Sequence, residues 1–256
     1  MNGPELLADS GAAKVYHASW EQLLSVVPEC NALIVDAPYS ERTHSSHRGG
    51  AALAGGRYER SDGRTDLRYE RREIDYPKWT SADVSGFVSA WASRVSGWFV
   101  SITDHTLAPA WGASLEAAGR YVFAPIVFVA PGSRVRLSGD GPSNWSTWLV
   151  VARPRTALFK SWGTLPGAYV LPPGHAERMD VVGSKPLWLM ERLVEDYTRP
   201  GDLVVDPCCG AGTTLVAAER TGRKAVGGDI MREHAEIAAR RVSKMTQRPL
   251  FTDGAP

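Results

Sequence analysis

The sequence has few cysteines, little net charge and no long apolar run. Its 256 residues include three cysteines, and none of them has the Cys-x-x-Cys spacing of a structural zinc site. So few cysteines are typical of a protein from the reducing cytoplasm. No apolar run approaches the roughly 20 residues that cross a bilayer, and the first residues lack the basic start of a signal peptide. We therefore expect a cytoplasmic protein without a membrane partner.

The charge distribution does not indicate a general polyanion binder. The formal net charge is +1, which is too small for nonspecific binding to nucleic acid through charge alone. Arginine far outnumbers lysine among the basic residues. Arginine suits bidentate contacts with phosphates and base edges, but biased codon usage gives the same excess. A local basic groove is therefore left open.

Apolar runs alternate with segments of helical periodicity along most of the chain. This alternation predicts an α/β fold, with a mostly parallel sheet and helices on both faces, in one domain over residues 1–256. The run at 32–35 is apolar throughout, as expected for a strand that is buried on both faces. Strands are predicted over 14–18, 32–35, 97–102, 121–130, 147–154, 203–206 and 224–229, and helices over 19–27, 81–95 (capped by Ser81), 107–119, 184–197, 213–222 and 232–245.

Residues 40–78 have no sustained periodicity and are rich in arginine and glycine. A connection of this length is either functional or disordered, and we predict a flexible loop. The arginines could contact DNA phosphates, although the acids between them fit a solvated loop equally well. His44 and His47 lie in this segment without a suitable third ligand nearby, so no metal site is predicted.

Residues 203–229 have the pattern strand, glycine turn, helix, strand and acid. Gly210 and Gly212 would let the backbone approach a ligand, and the helix that follows would offer amide donors. Asp229 ends the second strand, where a carboxylate can accept from ribose hydroxyls. The pattern predicts a nucleoside-bearing cofactor. A nicotinamide site, or a tight turn without a ligand, would have a similar sequence.

Two details of this segment favour S-adenosylmethionine. The turn reads Gly-Ala-Gly and lacks the third glycine of a dinucleotide fingerprint. Asp206, at the end of the first strand, would repel a pyrophosphate but attract the positive charge of a sulfonium.

A second stretch ends a buried strand in an unusual way. In NALIVDAPYS, residues 31–40, an apolar run leads directly to Asp36, Pro38 and Tyr39. A turn explains the acid and the proline, because both residue types are common in turns. It does not explain the tyrosine.

Three motifs together resemble the β-class of amino-methylating DNA methyltransferases. DPCCGAGTT (206–214) is similar to the cofactor motif DPFxGSGTT of that family, and DAPY (36–39) is similar to its catalytic motif DPPY or SPPY. Residues 184–206 resemble the lysine–proline helix that precedes the cofactor motif. The catalytic motif comes first in the chain, as in the β-class. The resemblance implies a Rossmann-like, S-adenosylmethionine-dependent methyltransferase fold with a permuted motif order.

The resemblance also implies a reaction, in which a methyl group moves to the exocyclic amine of a base flipped out of double-stranded DNA. Asp36 and the carbonyl of residue 37 would accept the hydrogens of that amine, and Tyr39 would stack on the base. Alanine stands at position 37 where the family usually has proline, so the turn loses a fixed φ but keeps its carbonyl. The implied catalytic residues are Asp36, Ala37, Pro38 and Tyr39, and the implied cofactor-binding residues are Lys185, Pro186, Asp206, Pro207, Cys208, Gly210, Gly212, Thr213, Thr214 and Asp229.

Several alternatives stay open within this resemblance. Aspartate in the first motif position favours adenine N6, but both amines need similar acceptors, so cytosine N4 is the alternative. A catalytically decayed subunit that binds S-adenosylmethionine and DNA is another, as is an RNA or protein amide acceptor. Residues 157–182 occupy the place of a target-recognition segment, and their small number predicts a short recognition sequence, low specificity or help from a partner. A second copy of the chain and a cognate restriction nuclease are further expected partners.

Overall fold

The computed structural model describes residues 3–43, 53–59, 65–71, 77–132, 144–156, 162–175, 181 and 183–246. In chain order the strands are β1 (Glu5–Asp9), β2 (Ala13–His17), β3 (Ala32–Asp36), β4 (Leu53–Glu59), β5 (Thr65–Arg71), β6 (Phe99–Thr103), β7 (Tyr121–Val122), β8 (Ile126–Val129), β9 (Ser146–Arg153), β10 (Ala168–Val170), β11 (Leu203–Asp206) and β12 (Lys224–Asp229).

Helices separate most of these strands. A short 3₁₀ helix, Ala92–Arg94, directly follows the helix Ser81–Trp91. None of the helices in the described ranges has the length and apolar character needed to span a membrane. The helices are α1 (Trp20–Leu23), α2 (Ser81–Trp91), α3 (Ala108–Ala117), α4 (Leu187–Tyr197), α5 (Thr213–Arg220) and α6 (Arg232–Thr246).

One large sheet organises the fold. Its strand order is β1-β2-β12-β11-β3-β6-β9-β8-β10, and β7 pairs with β9 beside this path. The five strands from β2 to β6 in this order are mutually parallel. Antiparallel pairing enters at β1 and at β9, which pairs with both β6 and β8 in this way. The predicted α/β fold with a mostly parallel sheet is confirmed.

Each face of the sheet carries its own core. Leu33 and Val35 of β3 pack with Phe87 of α2 and Trp111 of α3. Ile34, between them in the sequence, belongs to the core on the opposite face, which also contains residues of α4, α5 and α6. Successive side chains of a strand point to opposite faces, so a strand buried on both sides must be apolar at every position. This explains the continuous apolar run of β3.

The strand register brings three acids to the same edge of the sheet. Val205 of β11 pairs with Leu33 of β3, so Asp206 and Asp36 end adjacent parallel strands. On the other side of β11, Asp206 pairs with Gly227, two residues before Asp229 at the end of β12. The carboxyl ends of adjacent parallel strands form the usual ligand-binding crevice of open α/β sheets.

Several predicted boundaries were wrong. Helix α2 is capped by Thr80, not Ser81, because the Thr80 hydroxyl accepts from the Asp83 N–H while the Asp83 carboxylate accepts from the Thr80 N–H. Helix α1 ends at Leu23, and short i to i+3 hydrogen bonds replace the predicted helix beyond it. The strand predicted over 121–130 is interrupted around Pro125, which cannot donate to a sheet.

Two segments that were predicted to be irregular contain strands. Within 40–78, β4 and β5 pair in an antiparallel fashion from Leu53–Arg71 to Glu59–Thr65, so the loop is not irregular throughout. Gly55 and Gly56 obscured this strand because glycine is unfavourable in strands. Within 157–182, β10 extends the main sheet beside β8. Residues 157–161, 176–180 and 182, and the two loop histidines at 44 and 47, lie outside the described residues.

Candidate active site

A cleft of about 320 Å³ opens at the edge of the sheet where the acids meet. It is bounded on one side by the turn after β3 and on the other by the glycine turn after β11, here called the catalytic turn (residues 36–40) and the cofactor turn (residues 206–214). The two strand ends predicted to cooperate therefore face one shared space. The predicted site residues that line it are Asp36, Ala37, Pro38, Tyr39, Lys185, Asp206, Pro207, Cys208, Gly210, Thr213, Thr214 and Asp229.

Two predicted residues have structural roles beside the cleft. Pro186 is the N-cap of α4, immediately after Lys185. Gly212 is the N-cap of α5 and has φ of +74°. A Cβ at this glycine would lie 2.8 Å from the Cβ of Ala238 in α6. The collision expected for a side chain at Gly212 is therefore with a packed helix and not with a ligand.

Asp36 is held by two partners within the cleft. Its Oδ2 accepts a hydrogen bond from Lys185 Nζ at 2.6 Å, and its Oδ1 accepts one from the Tyr39 hydroxyl at 3.1 Å. Lys185 is buried and also donates to the Gly183 carbonyl at 2.8 Å. The carboxylate is thus oriented on both oxygens, and it keeps a fifth of its side-chain surface exposed to the cleft. A charge-assisted hydrogen bond of this kind is stronger than a neutral one.

Tyr39 and Lys185 also meet through the aromatic ring. Lys185 Nζ lies 5.0 Å from the centroid of the Tyr39 ring, within the range of a cation–π contact. The sequence resemblance assigned Lys185 to the cofactor, and its described contacts are instead with the catalytic motif. A contact with a cofactor stays a prediction.

The catalytic turn is anchored from the neighbouring strand by a residue that sequence reasoning missed. Asp104 follows β6, and its Oδ2 accepts from the N–H and hydroxyl of Ser40 and from the hydroxyl of Thr43, at 2.9, 2.5 and 2.6 Å. The turn is also tied by the Trp79 N–H, which donates to the Tyr39 carbonyl. Burial raises the pKa of Asp104, but these hydrogen bonds outweigh it and hold the pKa below its ordinary value. The signal available in the sequence was that Asp104 lies close to the end of a predicted apolar strand, as Asp36 and Asp206 do in theirs.

Asp206, in the cofactor turn, is fully buried. Its Oδ2 accepts from the Thr214 hydroxyl at 2.5 Å and its Oδ1 from the Cys208 N–H at 3.1 Å. Burial raises its pKa to about 7, with the hydrogen bonds opposing this shift and the charges of Asp36 and Asp229 adding to it. Among the described residues, the charges that shift this pKa are those of acids. A positively charged ligand in the cleft would favour the ionised form of Asp206.

Asp229 holds the backbone of the cofactor turn and that of the turn after β12. Its Oδ2 accepts from the Gly210 N–H at 2.9 Å, and its Oδ1 accepts from the Met231 N–H at 2.8 Å. Ile230, the next residue, also lines the cleft and is 54% exposed, which is unusual for a large apolar side chain. Sequence reasoning did not single out Ile230, although an isoleucine directly after a strand-ending acid could have been noticed.

Both cysteines of the cofactor turn are free thiols, with Cys209 buried and Cys208 half-buried. Cys209 belongs to the core that contains Ile34, and Cys208 packs against the core on the opposite face of the sheet. Burial raises the pKa of both thiols well above the ordinary value, and the charge of Asp206 adds to this. A thiolate nucleophile is disfavoured at either position.

Comparisons with known proteins find a family match in the C-terminal part of the chain. Residues 173–240 match the model of the N6/N4 family described as DNA methylase. Over this segment the chain is similar to the amino-methylating DNA methyltransferases. It is 43% identical over 58 residues to the type II methyltransferase M2.DpnII of Streptococcus pneumoniae, and 38% identical over 58 residues to the DNA adenine methyltransferase YhdJ of Escherichia coli K12. These matches cover 23% of this chain and 22% and 20% of the relatives.

Solved structures extend the comparison to nearly the whole chain. The M1.HpyAVI–SAM complex superposes with a TM-score of 0.64 at 18% identity, covering 90% of this chain and 98% of the other. The cytosine-N4-specific PvuII DNA methyltransferase superposes with a TM-score of 0.61 at 14% identity, covering 96% and 95%. At these identities the likeness concerns the fold, and it confirms the predicted Rossmann-like methyltransferase fold.

Proposed function

We propose that this protein transfers a methyl group from S-adenosylmethionine to an exocyclic amine of a base in double-stranded DNA. The observation that carries the proposal is the shared cleft, in which the catalytic turn and the cofactor turn face each other. With DNA as the acceptor, we expect the protein to act in the cytoplasm.

The residues of the cofactor turn fit S-adenosylmethionine. A Cβ placed on Gly210 would meet no atom within 4 Å, so the backbone borders open space where a ligand can approach. Asp229 and the apolar surface of Ile230 suit the ribose and the adenine ring, and the buried Asp206 suits a cationic group. The cofactor supplies an electrophilic methyl group on a sulfonium.

The residues of the catalytic turn suit the acceptor amine. An exocyclic amine is a weak nucleophile because its lone pair is delocalised into the base. Asp36 and the carbonyl of Ala37 would accept its hydrogens and favour a pyramidal nitrogen, whose proton leaves as the new nitrogen–carbon bond forms. Tyr39 would stack on the flipped base, which offsets part of the flipping cost, because such stacking contributes about 1–3 kcal/mol per base. We propose that Lys185 orients Asp36 for this task.

Adenine N6 is our first choice of target, and cytosine N4 is the alternative. The aspartate in DAPY and the adenine methyltransferase among the relatives support adenine. The fold similarity to a cytosine-N4-specific enzyme keeps cytosine open. We further propose residues 157–182 as the target-recognition segment and 40–78 as a DNA-contacting loop. A second copy of the chain and a cognate nuclease stay predictions.

Nucleoside analysis tests the proposal and separates these targets. DNA would be isolated from a host strain without amino-methylation of its own, expressing either the wild type or Asp36→Ala, and digested for mass spectrometry. We expect N6-methyldeoxyadenosine from the wild type and unmodified nucleosides from the variant. N4-methyldeoxycytidine would identify cytosine as the target. Unmodified DNA from well-folded wild type that binds S-adenosylmethionine and DNA would support the decayed subunit instead.

A further inference from the structure

The catalytic turn needs a source of rigidity that its sequence does not supply. Ala37 stands where a proline would fix φ, so the backbone between Asp36 and Pro38 has more conformational freedom than the family motif allows. The hydrogens of the acceptor amine would be held by Asp36 and the residue 37 carbonyl, so a small displacement of this backbone misaligns both acceptors. In this protein, contacts from outside the motif have to hold the turn.

Asp104 has the geometry to hold it. Five hydrogen bonds converge on its carboxylate, and the residue is 7% exposed. Three of them come from Ser40 and Thr43, including the backbone N–H of Ser40, which directly follows the motif. The other two come from the N–H groups of Thr106 and Leu107 to Oδ1, both at 3.0 Å. These anchor the carboxylate at the start of α3, so it links the catalytic turn to a packed helix.

The side-chain contacts of Asp36 are different in kind. Lys185 and the Tyr39 hydroxyl touch Asp36 from within the cleft, where an incoming base would rearrange them. Asp104 lies behind the turn, and the cleft is lined by other residues. Its hydrogen bonds can therefore persist while the cleft fills.

From this arrangement we infer that Asp104 is a positioning residue for methyl transfer, which fixes the catalytic turn through Ser40 and replaces the rigidity of the absent proline. The inference rests on the proposed function, because it names the residue that keeps the amine acceptors aligned. It also makes a physical claim about the turn that can be tested without any reaction.

Hydrogen exchange tests the physical claim. The variant Asp104→Asn keeps an Oδ1 acceptor for the N–H groups of α3, but it puts an amide in place of the oxygen that receives the Ser40 N–H. Asp202→Asn is the matched control, since Asp202 accepts from the Arg199 N–H in a turn at the opposite edge of the sheet. We expect amides of residues 36–43 to exchange at least about ten times faster in Asp104→Asn and unchanged in the control. Equal exchange in Asp104→Asn and wild type would overturn the inference.

Kinetics with a rescue variant test the positioning role. Because a misplacement of about 1 Å can cost about 100-fold in rate, we expect kcat for tritium transfer to plasmid DNA to fall about 10- to 100-fold in Asp104→Asn. The Kd for S-adenosylmethionine, measured by calorimetry, should stay within about twofold. Adding Ala37→Pro should recover much of the lost kcat, because Asp36 already has the extended conformation that precedes proline.

The outcomes separate the inference from the proposed function. An unchanged kcat in Asp104→Asn, or a double variant as slow as the single one, would overturn the positioning role while leaving the proposed function intact. A folded wild type without methyl transfer would refute the proposed function, and the exchange comparison would then decide alone whether Asp104 fixes the turn. Asp104→Ala, which also removes the α3 contacts, shows whether lost activity merely follows lost stability.

Discussion

The catalytic turn and the cofactor turn lie at the same edge of one sheet, but they are stabilised in different ways. In the cofactor turn, Asp206 accepts from Thr214 and from the Cys208 N–H, all within nine consecutive residues. In the catalytic turn, the main anchor is Asp104, 64 residues away from Ser40. One turn is therefore specified mainly by local sequence, and the other depends on which strand the fold places beside it.

The cofactor turn also has long-range contacts, from Asp229 to the Gly210 N–H and from Arg241. Arg241 of α6 donates to the Ala211 carbonyl at 2.7 Å and to the Thr213 hydroxyl at 3.1 Å. Arg241 is only partly buried in these contacts, whereas Asp104 and Ser40 are both buried. The difference predicts that local backbone changes damage the cofactor turn most, whereas changes of distant side chains damage the catalytic turn most.

The largest effect is expected from Gly212→Ala in the cofactor turn. An alanine at this position would have to adopt a left-handed conformation, with φ of +74°, which costs roughly 1–2 kcal/mol. Its Cβ would also lie 2.8 Å from that of Ala238, and overpacking of this kind costs about 1–3 kcal/mol. We expect a lower free energy of unfolding by denaturant and weaker binding of S-adenosylmethionine.

Gly210→Ala is the matched control for this prediction. Gly210 also has positive φ, but a Cβ there meets no atom within 4 Å, so only backbone strain should destabilise the fold. For the free energy of unfolding without cofactor, the two variants therefore differ mainly in the contact of the new Cβ with α6. Equal losses of stability in both would contradict the role given to the α5–α6 contact.

A smaller effect is expected from Lys185→Met, which removes the partner of Asp36. Losing a hydrogen bond to a charged group costs about 1–3 kcal/mol when its partner stays partly buried. If Lys185 orients Asp36, kcat for methyl transfer falls while the Kd for S-adenosylmethionine, measured by calorimetry, stays nearly constant. A selective loss of cofactor affinity with normal kcat would instead support the cofactor role that the family resemblance implies.

The smallest effect is a pH dependence that belongs to the cofactor turn. Burial raises the pKa of Asp206 to about 7, so its carboxyl is protonated below that pH and ionised above it. An ionised Asp206 attracts the sulfonium, so affinity for S-adenosylmethionine should weaken as pH falls from 8 to 6, by at most about tenfold per unit.

Two controls isolate this effect. S-adenosylhomocysteine lacks the sulfonium charge and should show a flatter profile over the same range. Asp206→Asn should remove the dependence on this group. A profile for S-adenosylmethionine that keeps its slope in the variant would assign the titration to another residue.

The sequence predicted the parts of the molecule whose causes are local. The strand–turn–helix around Asp206 and the buried run of β3 were both found, because each is specified by consecutive residues. The register that brings Asp36 to Asp206 depends on the pairing of distant strands, and the rule that ligands bind at the carboxyl ends of parallel strands is consistent with it.

The features that the sequence did not predict depend on contacts between distant residues or have weak sequence patterns. Asp104 was overlooked because its partners lie in another strand–turn unit, and Lys185 could not be linked to Asp36 across 149 positions by spacing. Strand β1 was missed because most of its residues are exposed or half-buried, which leaves no apolar pattern. Thr80 and Ser81 are both favourable N-cap residues. Thr80 is the N-cap because Asp83 lies three residues after it and exchanges hydrogen bonds with it.

The central claim is that both turns serve one reaction in one cleft, and the most direct test separates binding from transfer. Purified wild type and Asp36→Ala would be compared by calorimetry with S-adenosylmethionine and by transfer of tritiated methyl to DNA, with Asp36→Asn as a variant that keeps an acceptor for Lys185. We expect similar cofactor affinity in all three and a rate reduced by about 10²–10⁴-fold in Asp36→Ala. Undiminished transfer by Asp36→Ala would contradict the account.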